Sequence, residues 1–218
     1  TENTLKPAPA GIDAKTVINQ YINAVGGTKN WSKLKGMKTE MSTSTQGMPL
    51  TITTIAATPN KSATEIAVNG NVMQKIVFDG EKGAVIQGGQ AQEFDDERNQ
   101  KMAVETAMFP EADYLKGEYS LELKGIDLQN DEEVYVVKIE KPGGNVMTNF
   151  YSVESGFLIL SQETTDAGMS EALYSDYKSV KKVMVPHKIL RNAGPQKMEL
   201  KVEKVVLNPK VDEETFKF

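Results

Sequence analysis

The sequence predicts a mainly β fold, an antiparallel meander of eleven or twelve strands with one helix at its start and one inserted in its middle. After residue 36 the apolar spacing changes from the helical period to a period of two. Turn-forming residues separate the alternating segments, and no crossover helices lie between them. So many consecutive strands must curl or close, which leaves the two helices to cover the concave side of the sheet.

The first helix is defined by a cap, an apolar stripe and a stop. Asp13 is a favourable N-cap residue, and Gly26 and Gly27 are typical of a helix end. Between them the apolar side chains follow a helical spacing, which predicts that one side of the helix lies on an apolar surface. These residues are Val17, Ile18, Tyr21, Ile22 and Val25. A short second turn is expected over residues 31–34.

The predicted strands follow as successive hairpins, each bounded by Gly, Pro, Asn or Asp. They cover residues 37–45, 50–57, 62–68, 72–78, 84–87, 119–125, 133–140, 146–153, 157–164, 171–180, 183–190 and 197–207. The inserted helix interrupts this series: Asp95 or Asp96 caps it, and it runs to about Met108, before Pro110. No change in composition divides the strands, so residues 13–218 are expected to form a single domain. Residues 1–12 are interpreted as a linker or a mature N-terminal tether.

Composition excludes several classes of function. The 218 residues include 25 basic and 30 acidic side chains that are well mixed, with a net charge of −5, so no basic surface for nucleic acid is expected. There is no cysteine, which excludes thiolate and disulfide chemistry. No apolar run approaches the roughly 20 residues that a membrane-spanning helix needs, so no span is predicted.

One short motif suggests an enzyme. Ser175 and Lys178 have the spacing of an acyl-transfer serine and its lysine. Asp176 and His187, the one histidine, lie on two predicted strands that a hairpin connects. That spacing aligns the two side chains only on a helix, whereas residues three apart on a strand point to opposite faces. The flanking sequence alternates like a strand, and no G-x-S-x-G elbow or Gly-rich oxyanion turn is present. We therefore expect no catalytic residues and no enzymatic activity, with an Asp176/His187 hydrolase as the minor alternative.

Metal and cofactor sites are not expected either. One histidine without cysteine cannot supply a zinc site, and the acidic clusters lie at turns or a helix start without EF-hand spacing. A weak surface calcium site is the alternative interpretation of those clusters. The Gly-rich segments at 88–90 and 142–144 lack the following helix and lysine of a phosphate loop.

Methionine is the feature that suggests a binding site. Ten methionines lie in the chain, several of them on strand faces or on the inserted helix. Flexible thioethers fill irregular gaps and suit surfaces that accept varied apolar partners, although an ordinary core packed with methionine is the competing interpretation. Strand faces select an apolar ligand-binding set of Met37, Met41, Met73, Ile76, Met102, Leu121, Val136, Phe150, Tyr174 and Met198.

The order of these elements resembles that of the LolA/LolB lipoprotein-carrier superfamily, which includes outer-membrane lipoprotein-sorting proteins. The resemblance runs from about Asp13 to Phe218. It is carried by the helix that ends in "AVGG", by "LKGMKTEMSTSTQG", by the Asp-Gly hairpin "VFDGEKGAVIQ", by the inserted helix, by "NFYSVESGFLILSQE" and by "YSDYKSVKKVMVPHKI".

The resemblance implies an incomplete antiparallel β-barrel of about eleven strands whose concave face is covered by helices. It also implies a non-catalytic protein of the periplasm or cell envelope of a Gram-negative bacterium. Such a protein would bind the acyl chains of a lipoprotein, or another hydrophobic ligand, in that face. The arginine latch of the periplasmic carriers does not carry over, because the arginines here are Arg98 and Arg191.

A second reading is an accessory or interaction domain without a ligand of its own. It would belong to a larger envelope protein, such as the tail of an insulinase-type peptidase. Its partner would then be an upstream domain of the same gene product.

Overall fold

A computed structural model describes residues 5–45, 47–142, 144–165, 168–193 and 196–218. In these residues it has thirteen strands, all pairing antiparallel where pairing is resolved, and four α-helices. The helices are α1 (Ala14–Ala24), α2 (Thr28–Trp31), α3 (Asp96–Glu105) and α4 (Glu111–Tyr114), with a 3-10 helix at Glu213–Phe216. The strands are β1 (Gly36–Thr45), β2 (Met48–Ala57), β3 (Lys61–Val68), β4 (Asn71–Phe78), β5 (Gly83–Gln87), β6 (Gln90–Glu93), β7 (Ser120–Gln129), β8 (Glu132–Glu140), β9 (Val146–Ser152), β10 (Leu158–Thr165), β11 (Gly168–Val180), β12 (Val183–Ala193) and β13 (Gln196–Leu207).

The chain divides into two compact units. Unit 1 comprises residues 1–31 and 111–197, and unit 2 comprises residues 32–110 and 198–218. Within the part of the chain that the structure describes, no helix is both long and apolar enough to cross a membrane.

In unit 2 the strands follow the order β6-β5-β4-β3-β2-β1-β13. One face of this sheet carries a packed cluster: Ala63, Val77 and Ala84 lie opposite one another on β3, β4 and β5 and are buried with Phe216 of the 3-10 helix. Helix α3 is tied to the ends of β3 and β5 by Asn60, which donates to the Ala103 carbonyl, and by Asn99, which accepts from the Gly83 amide.

In unit 1 the strands from β7 to β12 pair in sequence order. Helix α1 buries Val17, Ile18 and Ile22, and the ring of Tyr21 lies 5.3 Å from the ring of Tyr151 on β9. The opposite face of the sheet carries a second packed cluster, formed by residues of β8, β9 and β10 with Leu5 of the N-terminal segment. Its buried members are Val134, Val136, Phe150 and Leu160.

The predicted fold class is confirmed: the chain is mainly β, built of antiparallel hairpins, with an N-terminal helix and an inserted helix. Asp13 caps the first helix as predicted, because its carboxylate accepts from the Thr16 amide. Of the two predicted caps of the inserted helix, Asp95 is the cap, because its carboxylate accepts from the Arg98 amide. The strand count is higher than expected. The sequence analysis missed β6, whose four residues are all exposed and so lack an alternating apolar pattern, and it missed α4 and the 3-10 helix, which are one turn long.

Candidate ligand-binding faces

The second face of the unit 2 sheet brings together several of the predicted site residues. We call it the methionine face and define it by Met37, Met41, Ile52, Ile66, Ile76 and Met198. The register aligns them: Met41 lies opposite Ile52 on β2, Ile52 lies opposite Ile66 on β3, and Met41 also lies opposite Val202 on β13. Because side chains alternate with a period of two, Met37 lies on the same face as Met41, and Met198 on the same face as Val202.

The methionine face differs from the packed face behind it in burial. The residues that define it are half-buried, whereas Ala63, Val77 and Ala84 on the packed face are at most 3% exposed. At the β13 side of the methionine face, Leu200 and Val202 are buried as well, so the contrast concerns the part of the face on β1–β4. Burial of apolar surface releases about 25 cal/mol per Å². Side chains that still contact water therefore release further free energy when a ligand covers them. On the methionine face an apolar ligand would therefore gain free energy by covering these half-buried side chains.

A row of hydroxyl groups crosses the methionine face. Thr39 pairs with Thr54, and Thr54 pairs with Thr64, on three adjacent strands. The Oγ1 atoms of Thr54 and Thr64 are 3.2 Å apart, within hydrogen-bonding distance. Two positions from Met41, the Oγ1 atom of Thr43 is buried and has no hydrogen-bond partner within the described residues. The face therefore offers a ligand hydroxyl groups as well as apolar contacts.

Two further predicted residues of unit 2 lie away from the centre of this face. Met73 occupies a bulge in β4, between Val72 and Gln74, and is 53% exposed. Met102 is half-buried on α3, where its carbonyl accepts from the Thr106 hydroxyl.

The predicted residues of unit 1 divide between the two faces of its sheet. Leu121 pairs with Ile139, which is on the same face as Tyr151 and α1. Tyr174 is half-buried among other tyrosines on that side. Val136 and Phe150 pair with each other in the packed cluster on the opposite face, so they have no surface to offer a ligand on the α1 side.

Unit 1 contains a buried carboxyl group near several tyrosines. Glu111, the first residue of α4, is only 7% exposed. Burial, and to a smaller extent the Asp113 carboxylate, raises the pKa of Glu111 to about 7. Burial also raises the pKa of five surrounding tyrosines, and the negative charge of Glu111 raises each further, so these phenols stay protonated. They are Tyr21, Tyr114, Tyr151, Tyr174 and Tyr177.

The tyrosine side chains are held by specific contacts. The Asn149 amide donates to the Tyr151 hydroxyl at 2.9 Å, while the Asn149 Oδ1 atom is buried without a hydrogen-bond partner in the described part of the chain. Tyr177 stacks on Phe157 at 4.3 Å and donates to the Leu158 carbonyl. The sequence analysis missed Glu111 and most of these tyrosines. They are far apart in the chain, and nothing in the stretch after Pro110 marks its glutamate as buried.

The acyl-transfer motif does not form a catalytic arrangement. The Lys178 ammonium pairs with the Asp176 carboxylate at 2.7 Å, and both side chains are more than half exposed. The His187 Nδ1 atom is 2.8 Å from the Val185 carbonyl of its own strand. The backbone of β11 departs from regular strand geometry at Asp176, whose φ is 55°, while the register with β12 is the same at Ser175 and Tyr177. Among the described residues, no group of three or more His, Cys, Asp or Glu side chains could hold a metal ion.

Comparisons with known proteins identify the fold. No protein-family model and no curated protein matches the sequence. Several solved structures match, and three of them have a TM-score above 0.5 over most of their length and of this chain. One is a LolA superfamily protein from Nitrosomonas europaea, with 12% identity and a TM-score of 0.62, over 95% of this chain and 99% of that chain.

The other two matches support the same conclusion. A DUF1329 family protein from Desulfovibrio piger has 8% identity and a TM-score of 0.65, over 94% of this chain and 97% of that chain. An outer membrane lipoprotein-sorting protein domain from Vibrio parahaemolyticus has 11% identity and a TM-score of 0.56, over 84% of this chain and 88% of that chain. At such identities the likeness concerns the fold alone. The chain has the fold of the LolA superfamily, as the order of its sequence elements predicts.

Proposed function

We propose that this chain is a non-catalytic binding protein that holds an acyl chain, or another hydrophobic ligand, on the methionine face. The observation that carries the proposal is the burial difference between the two faces of the unit 2 sheet. One face is packed under Phe216, and on β1–β4 the other face presents apolar side chains that are only half-buried, beside the buried Val202 of β13.

The chemistry of the methionine face suits a ligand with a long apolar part. Methionine side chains adapt to ligands of different shape because they are unbranched and polarizable. Each methylene group that leaves water contributes about 0.8 kcal/mol, so an acyl chain needs few directional contacts. The row of threonine hydroxyls would then hydrogen-bond an ester or amide group of the same ligand.

The fold supports the cellular context of the proposal. The Vibrio parahaemolyticus relative is described as an outer membrane lipoprotein-sorting protein domain. By analogy, the ligand would be a lipid or the acyl chains of a lipoprotein, and the protein would act in the periplasm or cell envelope of a Gram-negative bacterium. The ion pair between Lys178 and Asp176 and the contact of His187 with its own strand favour a function without catalysis.

Titration with a fluorescent fatty acid tests the proposal. We expect saturable binding to the wild-type chain and a loss of at least about tenfold in affinity for Met41→Glu and for Ile52→Glu. A carboxylate buried against an acyl chain costs more than one factor of ten in affinity, which is 1.4 kcal/mol. Native mass spectrometry after mild extraction should detect a co-purified lipid.

The matched control is Met169→Glu, because Met169 is 57% exposed on β11 of unit 1. This variant should bind the probe like the wild type. The absence of both saturable binding and co-purified lipid would overturn the proposal and favour the accessory-domain reading. Equal loss of affinity in the control would place the ligand outside the methionine face.

A further inference from the structure

A groove runs along one edge of the unit 1 sheet. It is an open pocket of about 710 Å³ between β7 and the segment that leads into α1. Tyr119, Leu121 and Leu123 line one side, and Ala8 and Ile12 line the other. The rings of Tyr114 and Tyr119, whose centroids are 5.0 Å apart, also line it.

The side of this groove formed by β7 is an edge strand. On one side β7 pairs with β8, and on the other side the N-terminal segment makes a single antiparallel bridge to it. In that bridge the Lys6 amide donates to the Ile126 carbonyl at 2.9 Å, and the Ile126 amide donates to the Lys6 carbonyl at 2.7 Å. Between Ser120 and Lys124 the outer edge of β7 has no backbone partner among the described residues. An edge strand directs its free N–H and C=O groups outward, where another strand can bind them.

Side chains along the groove alternate in the way that an extended peptide requires. Leu121 and Leu123 are half-buried, whereas Ser120, Glu122 and Lys124 are exposed. Strand residues two apart share a face, so apolar side chains at every second position of a peptide would contact the two leucines. From Tyr119, the residue before β7, to Lys124 the chain spans at most about 17 Å, which accommodates roughly six extended residues.

We propose that this groove binds an extended peptide segment of a partner protein, which adds to β7 as a strand beside the Lys6 bridge. The peptide would satisfy the free backbone groups of residues 120–124 and would place alternate apolar side chains on Leu121 and Leu123. Its other side chains would lie beside Glu122 and Lys124, which pair with each other at 3.0 Å. The inference is independent of the ligand of the methionine face.

Two other occupants fit the groove less well. An acyl chain would cover the backbone groups of β7 without hydrogen-bonding to them, and a buried donor or acceptor that is left unsatisfied destabilises the complex. A second copy of the chain would bring its own β7, whose edge is already occupied at Ile126 by Lys6. Self-pairing centred on Glu122 would also set two carboxylates opposite each other, which is destabilising in a sheet.

An NMR titration with a designed peptide tests the proposal. The probe is the acetylated, amidated hexapeptide Glu-Val-Lys-Val-Thr-Val, whose charges complement Lys124 and Glu122 in antiparallel register. We expect saturable shifts of the amide signals of residues 119–124, and slower hydrogen exchange there, at peptide concentrations up to the millimolar range. The same peptide with alternate amides N-methylated, so that its strand-forming edge is blocked, should bind at least about tenfold more weakly.

Substitutions on β7 locate the site. Leu121→Asp and Leu123→Asp should each weaken the peptide at least about tenfold. Leu128→Asp, on the same strand beyond the Lys6 bridge and 58% exposed, should leave its affinity unchanged. If a leucine variant fails to fold, the comparison between the plain and N-methylated peptides still tests the proposal on the wild-type chain.

Three results would overturn the inference. The first is no shift of residues 119–124 at millimolar peptide, and the second is equal binding of the N-methylated peptide. The third is a concentration-dependent shift of the same signals without peptide, which would assign the edge to a second copy of the chain.

Discussion

The environment of Glu111 disfavours the ionised form of its carboxyl group. Its carboxyl group is buried among tyrosines, and no cation of the described residues pairs with it. Burial of an ion without a partner is costly, so the group retains its proton up to about pH 7 instead of losing it near pH 4.5. Glu111 therefore makes the stability of unit 1 depend on pH.

We predict that the wild-type chain loses stability as the pH rises from 4.5 to about 7. In this window the unfolded chain has lost the Glu111 proton and the folded chain retains it, so each step in pH favours unfolding. The raised pKa corresponds to a loss of about 3 kcal/mol across the window. The free energy of unfolding from urea titrations at several pH values measures it.

Glu111→Gln should remove most of this pH dependence, because a neutral amide occupies the same position without ionising. Glu118→Gln is the control, because Glu118 is exposed, and it should retain the pH dependence of the wild type. Carboxylates with a lowered pKa, such as Asp13 and Glu40, make the stability rise with pH instead, and they do so at pH values below this window. An unchanged slope in Glu111→Gln would contradict the assignment.

Among the secondary-structure elements, β7 and the N-terminal segment depend on one glycine. Gly125 lies at a register shift in β7 with a φ of +139°, and a Cβ atom placed there would come within 2.7 Å of the Lys6 carbonyl oxygen. A side chain at this position therefore meets both backbone strain and a backbone clash. The bridge from Lys6 to Ile126, and the packing of Leu5 on the cluster around Val136, rely on this glycine.

Gly125→Ala should destabilise the chain by about 1–3 kcal/mol and speed hydrogen exchange of the Lys6 amide. Gly117→Ala is the matched control, because Gly117 has a φ of +90° but no atom within 4 Å of the added Cβ. It should share the backbone strain and leave the Lys6 amide protected. Equal exchange rates of the Lys6 amide in the two variants would show that the bridge to Ile126 does not depend on the close approach of residue 125 to Lys6.

For the whole molecule, a bound ligand should appear as added stability. A fatty acid at 100 times its dissociation constant stabilises the folded state by about 2.7 kcal/mol. For a chain of this size, that corresponds to a rise in Tm of about 5–10 °C. Thermal unfolding with and without the fatty acid should show the rise in the wild type and in Met169→Glu. A rise of the same size in Met41→Glu would contradict binding at the methionine face.

The limits of these elements follow from local features of the sequence. Asp13 and Asp95 cap their helices as predicted, because a capping carboxylate and the amides it accepts from are neighbours in the chain. The alternation of apolar side chains likewise places Met37, Met41, Ile76 and Met198 on one face. The assignment of residues 1–12 as a tether outside a single domain stays a prediction, and residues 1–4 lie outside the described part of the chain.

By itself, the sequence determined the antiparallel order of the strands, the two helix caps and the resemblance to the LolA superfamily, all of which rest on neighbours in the chain. Only the tertiary structure decided which sheet face is packed, because both faces of β2–β4 carry apolar side chains. It also decided where single residues are buried. Phe150 packs on the face opposite α1, and Glu111 lies near tyrosines from three other elements. Burial of that kind depends on residues far apart in sequence, so no local pattern predicts it.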